Sequence, residues 1–590
     1  MFRILKLFFF FLIFITKLNA ENITESQTIS GETRTTQQHI KDAADITLTI
    51  TNSTISKANY SIKINTTESA EANNATVVIS SDSIVKTTTG GNAIYGNASD
   101  GLTVNNSGTV SSSESTKAID LANSSGATIT NNSGGSIYAL GRTISVGASD
   151  TATINNHGKI YSTTTGGQGN TIYSTDNTET LTLTNHSGGE ITSNSSSKST
   201  LRIRKTSTIT NSGTIKNNQG PSATAIELYG NNNTLTLKDG GIVVGIIDSS
   251  GSNNTLKLQH GVGKSYFYET SGNLTLEDLD GNNVVKGSAG SVGQGGNEFI
   301  DESLGYKSLN IRKSLTQFKN SDQFLDRDTA WVETFSSLLK RDGKSSSLKL
   351  ENSLVNFGAN IIKPLENLNF VISAETSLQN ISKDHDVDRI SILSGFYFNN
   401  HQNSKKLKGE YFLLGGIALN KSERLILTNT TSSGLLNVTD NYENFEILFG
   451  NKLNNSFLIP DIGYTLGYSY TPSHKESKYF DWDNRHVLNI SAALSDEYTF
   501  FQSDKRNFSL GWILDYRTLA NNDDQNYLIN GTSTFYDQDD ELKKEASFSS
   551  NLNYKYKANE NSIFSFNLDG FTSSQDAISV LANLVFKFKI

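Results

Sequence analysis

A repeat of about 25 residues, kept in two registers at once, limits what this chain can fold into more than any other feature. Val104, Ile129, Ile154, Leu183, Ile209 and Leu235 fall 25, 25, 29, 26 and 26 residues apart. A second apolar line, Ile94, Ile119, Ile144, Ile172, Leu201 and Ile226, is spaced by 25, 25, 28, 29 and 25. Within each unit, stretches such as Ala127-Thr-Ile-Thr-Asn-Asn-Ser-Gly-Gly-Ser-Ile137 alternate aliphatic and hydroxyl side chains and then break at Asn-Ser-Gly. The alternation places one row inward and the other outward, as a half-buried strand requires. Asn and Gly tolerate the positive φ that turns a corner. A coil this short cannot bury its own apolar line, so it must stack on its neighbours at roughly 4.8 Å per coil. The expected fold for this region is a right-handed parallel β-helix. Asn105, Asn131, Asn155, Asn185 and Asn211 are expected to form a stacked ladder along it. Regular coils are expected over 90–250; before residue 90 the repeat blurs, although Ile46–Ile50 and Thr76–Ile79 read as irregular first coils. Tyr266, Phe267 and Tyr268 add bulk to a cap-like region at 230–290.

The chemistry changes near residue 300. Residues 21–300 hold 10 aromatic and 40 charged side chains, whereas residues 301–590 hold 39 and 66, with all three tryptophans. Two kinds of structure are therefore expected in one chain. From Asp328 onward, segments of about ten residues alternate strictly: Phe564, Phe566 and Leu568 share one face, and Ser565, Asn567 and Asp569 the other. Twelve candidate strands lie near 328–340, 351–363, 367–380, 388–399, 409–420, 442–453, 459–472, 486–498, 506–519, 544–557, 561–573 and 577–590. The long connections 421–441, 473–485 and 520–543 all follow odd-numbered strands. Long loops on one side and short turns on the other are what a membrane-spanning barrel shows. The expected fold class is thus all-β, a parallel β-helix followed by a 12-stranded antiparallel transmembrane β-barrel. Its domains are 21–300 for the helix, 301–327 for a linker and 328–590 for the barrel.

The first twenty residues read as a secretory signal peptide. Arg3 and Lys6 precede an apolar run from Leu7 to Ile15, and a small residue, Ala20, stands before Glu21 at the expected cut. The run is too short for a spanning helix. Cysteine is absent throughout, which removes disulfides and a lipid anchor. A formal net charge of −9 with no concentrated basic face argues against nucleic acid as a partner.

Together, the signal, the Ser207-Thr-Ile-Thr-Asn-Ser-Gly-Thr-Ile215 coils and the final strands resemble the monomeric autotransporters of type V secretion, over the whole chain. Ala330-Trp-Val-Glu-Thr-Phe335 is similar to that family's first barrel strand, and Leu584-Val-Phe-Lys-Phe-Lys-Ile590 to its last. The resemblance implies that Phe586, Phe588 and Ile590 carry an assembly signal, although the family usually ends on Phe or Trp. It also implies outer-membrane lipid, a barrel-assembly machinery and periplasmic chaperones as partners. A helix in the pore is implied too; residues 303–322 are the candidate, although Leu309, Ile311 and Leu315 give no clean helical stripe. No self-cleavage signature stands out.

Catalytic chemistry is not expected. The eight histidines are scattered, with no His-Glu-x-x-His pair, no Gly-x-Ser-x-Gly elbow and no metal or cofactor motif. His157 and His186 occupy equivalent turn positions. Arg202, Arg204 and Lys205 are the candidate contacts for an anionic glycan or lipopolysaccharide, against the reading of a solvated face. Thr128/Thr130, Thr182/Thr184, Thr208/Thr210 and Thr234/Thr236 form a threonine array, which β propensity alone can explain. The expected function is a barrel that anchors and exports a surface adhesin or interaction rod. The alternatives are a glycan lyase or esterase on the β-helix, and a porin.

Overall fold

A computed structural model describes residues 20–65, 72–113, 117–147, 151–167, 169–175, 180–284, 288–293, 296–316, 329–343, 350–365, 368–400, 408–454, 460–520, 524–536, 543–559 and 561–589. The chain forms two compact units. The first comprises residues up to Gly261, Tyr266–Gly290 and Leu427–Leu436; the second comprises Val262–Ser265, Ser291–Ile426 and Asn437–Ile590. Residues 1–19, within the expected signal peptide, and Ile590 lie outside the described residues.

The first unit is a parallel β-helix with three strands per coil. Ile94, Ile119, Ile144 and Ile172 stack in register on one face, and Val104, Ile129, Ile154, Leu183, Ile209 and Leu235 on the next. The third face is a nine-stranded parallel sheet from Thr33–Arg34 to Ile242–Val244. Both apolar lines found in the sequence are fully buried. Each buried aliphatic side chain contributes roughly 1.5–3 kcal/mol, so the stack holds only because every coil covers the next. Among the described residues, coiling is under way from Ala20, and the coils before residue 90 are irregular in length. Ala20 pairs with Gln37, Gln38 with Ile62 and Ile62 with Ile94, steps of 17, 24 and 32 residues. Coils of unequal length hide the period without disturbing the stack.

The asparagine ladder exists, but one residue along at two of its rungs. Asn106 donates through Nδ2 to Oδ1 of Asn131, Asn131 to Asn156, Asn156 to Asn185 and Asn185 to Asn211, each at 2.8 Å. All five are buried, whereas Asn105 and Asn155 are part-exposed. Parity decides this: Val104 and Ile154 face inward, so the next inward positions are 106 and 156. In the last coils the strands lengthen to Ile246–Gln259 and Ser265–Asp278, and Tyr266 and Tyr268 fill the core.

The second unit is a closed antiparallel barrel of twelve strands: Thr329–Arg341, Asn352–Pro364, Asn369–Ser382, His385–Asn400, Lys408–Thr428, Leu435–Asn454, Asp461–Thr471, Arg485–Gln502, Arg506–Leu519, Lys544–Asn559, Ser562–Ser573 and Ala577–Lys589. Closure is direct: the last strand pairs with the first from Thr329↔Lys589 to Arg341↔Ala577. Leucine, isoleucine and phenylalanine side chains such as Leu413, Leu510, Leu552, Leu568 and Phe586 face out, while Ser565, Asn567 and Asp569 face in and are buried. An apolar outside and a polar inside suit a barrel whose solvent is lipid. No helix among the described residues is long and apolar enough to cross a membrane. All three long connections expected as loops carry strands among their described residues. Residues 421–441 extend strands five and six into a hairpin, and 473–485 with 520–543 contribute His474–Lys475, Phe480–Trp482, Gln525–Ile529 and Thr532–Tyr536 to a four-stranded sheet.

Candidate functional site: a helix held inside the barrel

The 20-residue helix Asn297–Thr316 occupies the barrel lumen. At 1.5 Å per residue it spans about 30 Å, the thickness of a bilayer core. It starts six residues before the sequence-predicted 303–322, and residues 317–322 lie outside the described residues. The lack of an apolar stripe now has a reason. Strands surround the helix, so its faces are buried all round: Leu304 and Ile311 pack with wall residues such as Val371, Leu448 and Val487, and its charged side chains meet polar ones.

Its charges are sorted along its length. Glu298, Asp301 and Glu302 lie in the first two turns; Lys307, Arg312 and Lys313 follow. That order complements the helix dipole, which favours anions at the N-terminus and cations at the C-terminus. The lumen wall mirrors it. Glu298 accepts a hydrogen bond from Tyr536 Oη at 2.8 Å, Asp301 accepts from Arg485 Nε at 3.0 Å, and Glu302 pairs with Arg341. Further along, Lys307 Nζ donates to Glu446 at 2.8 Å and Ser391 at 2.6 Å, Arg312 to Asp515 at 2.9 Å and Lys313 to Asp569 at 2.7 Å. Tyr306 donates to Glu545 at 3.1 Å and lies under the Arg517 guanidinium at 3.7 Å. Glu333 on strand one accepts from Asn360, from Asn583 and from Ser314.

Pairs this buried add little net stability, because desolvation offsets most of their attraction; removing one partner strands a charge and costs about 3–5 kcal/mol. Their effect is to fix one axial position and one direction for the helix. Sequence reasoning did not find these wall residues. The signal was available: Glu333, Glu446, Asp515 and Asp569 are charges at inward positions of alternating strands.

On the first unit, the candidate anion contacts separate. Arg202 lies 3.6 Å from Glu227, Arg204 covers the Tyr229 ring at 4.5 Å, and Lys205 is buried with Nζ on the Gly147 carbonyl at 3.1 Å. Lys205 therefore does not join the two arginines on one surface. Ala20 opens the first strand, and Glu21 pairs with Arg34 at 2.6 Å. Phe586 and Phe588 point outward from the last barrel strand. The His157 and His186 rings stack at 3.8 Å, and burial together with His157 lowers the His186 pKa. One outward column is unbroken threonine over ten strands: Thr47, Thr76, Thr103, Thr128, Thr153, Thr182, Thr208, Thr234, Thr255 and Thr275. Among the described residues, no group of three or more His, Asp or Glu could hold a metal.

No family model matches the sequence, and no curated protein matches it. Solved structures similar to the chain include the translocator domain of the autotransporter NalP from Neisseria meningitidis, at 11% identity and TM-score 0.34, covering 48% of this chain and 98% of that one. The transport unit of AIDA-I from Escherichia coli follows at 8% identity and TM-score 0.32, covering 50% and 99%. The beta domain of the Bordetella autotransporter BrkA stands at 6% and 0.30, covering 45% and 100%.

Proposed function

We propose that this chain is an outer-membrane autotransporter whose barrel anchors and exports the β-helix as a surface adhesin or interaction rod. The observation that carries the reading is the helix Asn297–Thr316, fixed in the lumen of a barrel with an apolar outer surface by ion pairs graded along its length, and following the solenoid segment in the chain. A lumen filled in this way leaves little room for diffusion, which disfavours the porin reading. The β-helix offers extended, repeated faces, and the threonine column runs for roughly 43 Å at strand spacing. Repetition of that kind suits many weak contacts made at once.

Protease shaving of intact cells, with antibodies against each unit, tests the reading. Loss of the β-helix signal with retention of the barrel supports it. A β-helix protected until the outer membrane is opened overturns it.

A further inference from the structure

The last coil of a solenoid presents bare backbone groups and an uncovered core, and it needs a cap. In the first unit that cap includes Leu427–Leu436, a turn whose chain neighbours on both sides are strands five and six of the barrel. Asn429 is buried and bonds to two coils at once. Its backbone carbonyl accepts from Gly245 N at 3.1 Å, and its Nδ2 donates to the Gly245 carbonyl at 3.0 Å. The same Nδ2 donates to the Glu269 carbonyl at 2.8 Å, while Oδ1 accepts from Glu269 N at 2.8 Å. One side-chain amide thus takes the place that a further strand would occupy. Leu427 and Leu435 pack into the solenoid core, and Lys216 Nζ donates to the Ser432 carbonyl at 3.3 Å. Gly434 has φ +75° and lies so close to Ile242 that a Cβ there would meet Cγ2 at 2.2 Å. Internal bonds preform the turn: Thr428 N donates to the Gly434 carbonyl at 2.9 Å, and Thr431 Oγ1 to the Leu435 carbonyl at 2.9 Å.

We infer that Leu427–Leu436 is a clasp that retains the β-helix on the barrel-bearing half of the chain even when the connecting backbone is cut. Cleavage between the last long strand of the coils and the lumen helix would then not release the β-helix; retention would depend chiefly on the bonds of Asn429 and the fit of Gly434.

The test uses the purified full-length chain in detergent micelles, with a protease recognition sequence inserted at the exposed Gly281, just past the last long strand of the coils. After cleavage, the two fragments of the otherwise unaltered chain are expected to co-elute on size exclusion. Combining Asn429→Ala with Gly434→Val is expected to raise the rate of dissociation at least about tenfold, whereas Ser432→Ala at an exposed position leaves it unchanged. Before cleavage, heat-modifiable gel mobility of the barrel and trypsin resistance of the β-helix establish that the double variant is folded; Asn429→Ala alone serves if it is not. Fragments that separate at once without any substitution overturn the inference, as do variant fragments that stay together as long as the unsubstituted ones.

Discussion

Asn131 donates through Nδ2 to Oδ1 of Asn156 one coil away, at 2.8 Å, with both side chains fully buried. Asn156 in turn donates to Asn185 and to the carbonyl of Gly158 at 3.1 Å. Asn156→Ala leaves buried donors and carbonyls without partners, each costing about 1–3 kcal/mol. The loss is expected to be local because solenoid coils couple mainly to their neighbours. Hydrogen exchange should speed up in the coils containing Asn131, Asn156 and Asn185 while the first coils stay protected.

In the barrel, Lys313→Met strands Asp569 in the lumen and is expected to cost about 3–5 kcal/mol. Adding Asp569→Leu should recover most of that loss, since a packed apolar pair can replace a buried ion pair. The temperature at which the barrel loses its heat-modifiable gel mobility measures both.

Leu568 projects from the outer face near the middle of strand eleven. Leu568→Arg is expected to destabilise insertion by about 2–4 kcal/mol, the cost of a cation on the lipid face near the bilayer midplane. Leu568→Ile should be silent. Folded fractions recovered in lipid vesicles discriminate the two.

His186 has a pKa below its ordinary value of 6.5, through burial first and the stacked His157 second. The folded coil therefore binds fewer protons than the unfolded chain. Its stabilising contribution is full above pH 6.5 and is lost as pH falls from there through the folded pKa. Thermal unfolding of the β-helix followed from pH 7.5 to about 5 should show a decline that His186→Gln reduces.

The two apolar lines and the twelve strands were legible because burial writes itself as a period, about 25 residues in one unit and two residues in the other. Choosing Asn105 and Asn155 for the ladder counted repeats but ignored strand parity, which selects Asn106 and Asn156. The first coils were hidden by unequal coil lengths that leave the stacking unchanged. The lumen helix was hardest to read, because a helix enclosed on all sides by a wall of mixed polar and apolar residues has no amphipathic pattern to report. Its partners lie up to 256 residues away, as Lys313 and Asp569 do.

The chain has no cysteine, so single introduced cysteines report sidedness directly. Thr182 is exposed on the β-helix, and Leu365 is exposed at a turn between barrel strands two and three. On intact cells, a membrane-impermeant maleimide is expected to label Thr182→Cys at once and Leu365→Cys only after the outer membrane is permeabilised. Labelling of Leu365→Cys on intact cells, or protection of Thr182→Cys until permeabilisation, would contradict a barrel that has delivered the β-helix to the cell surface.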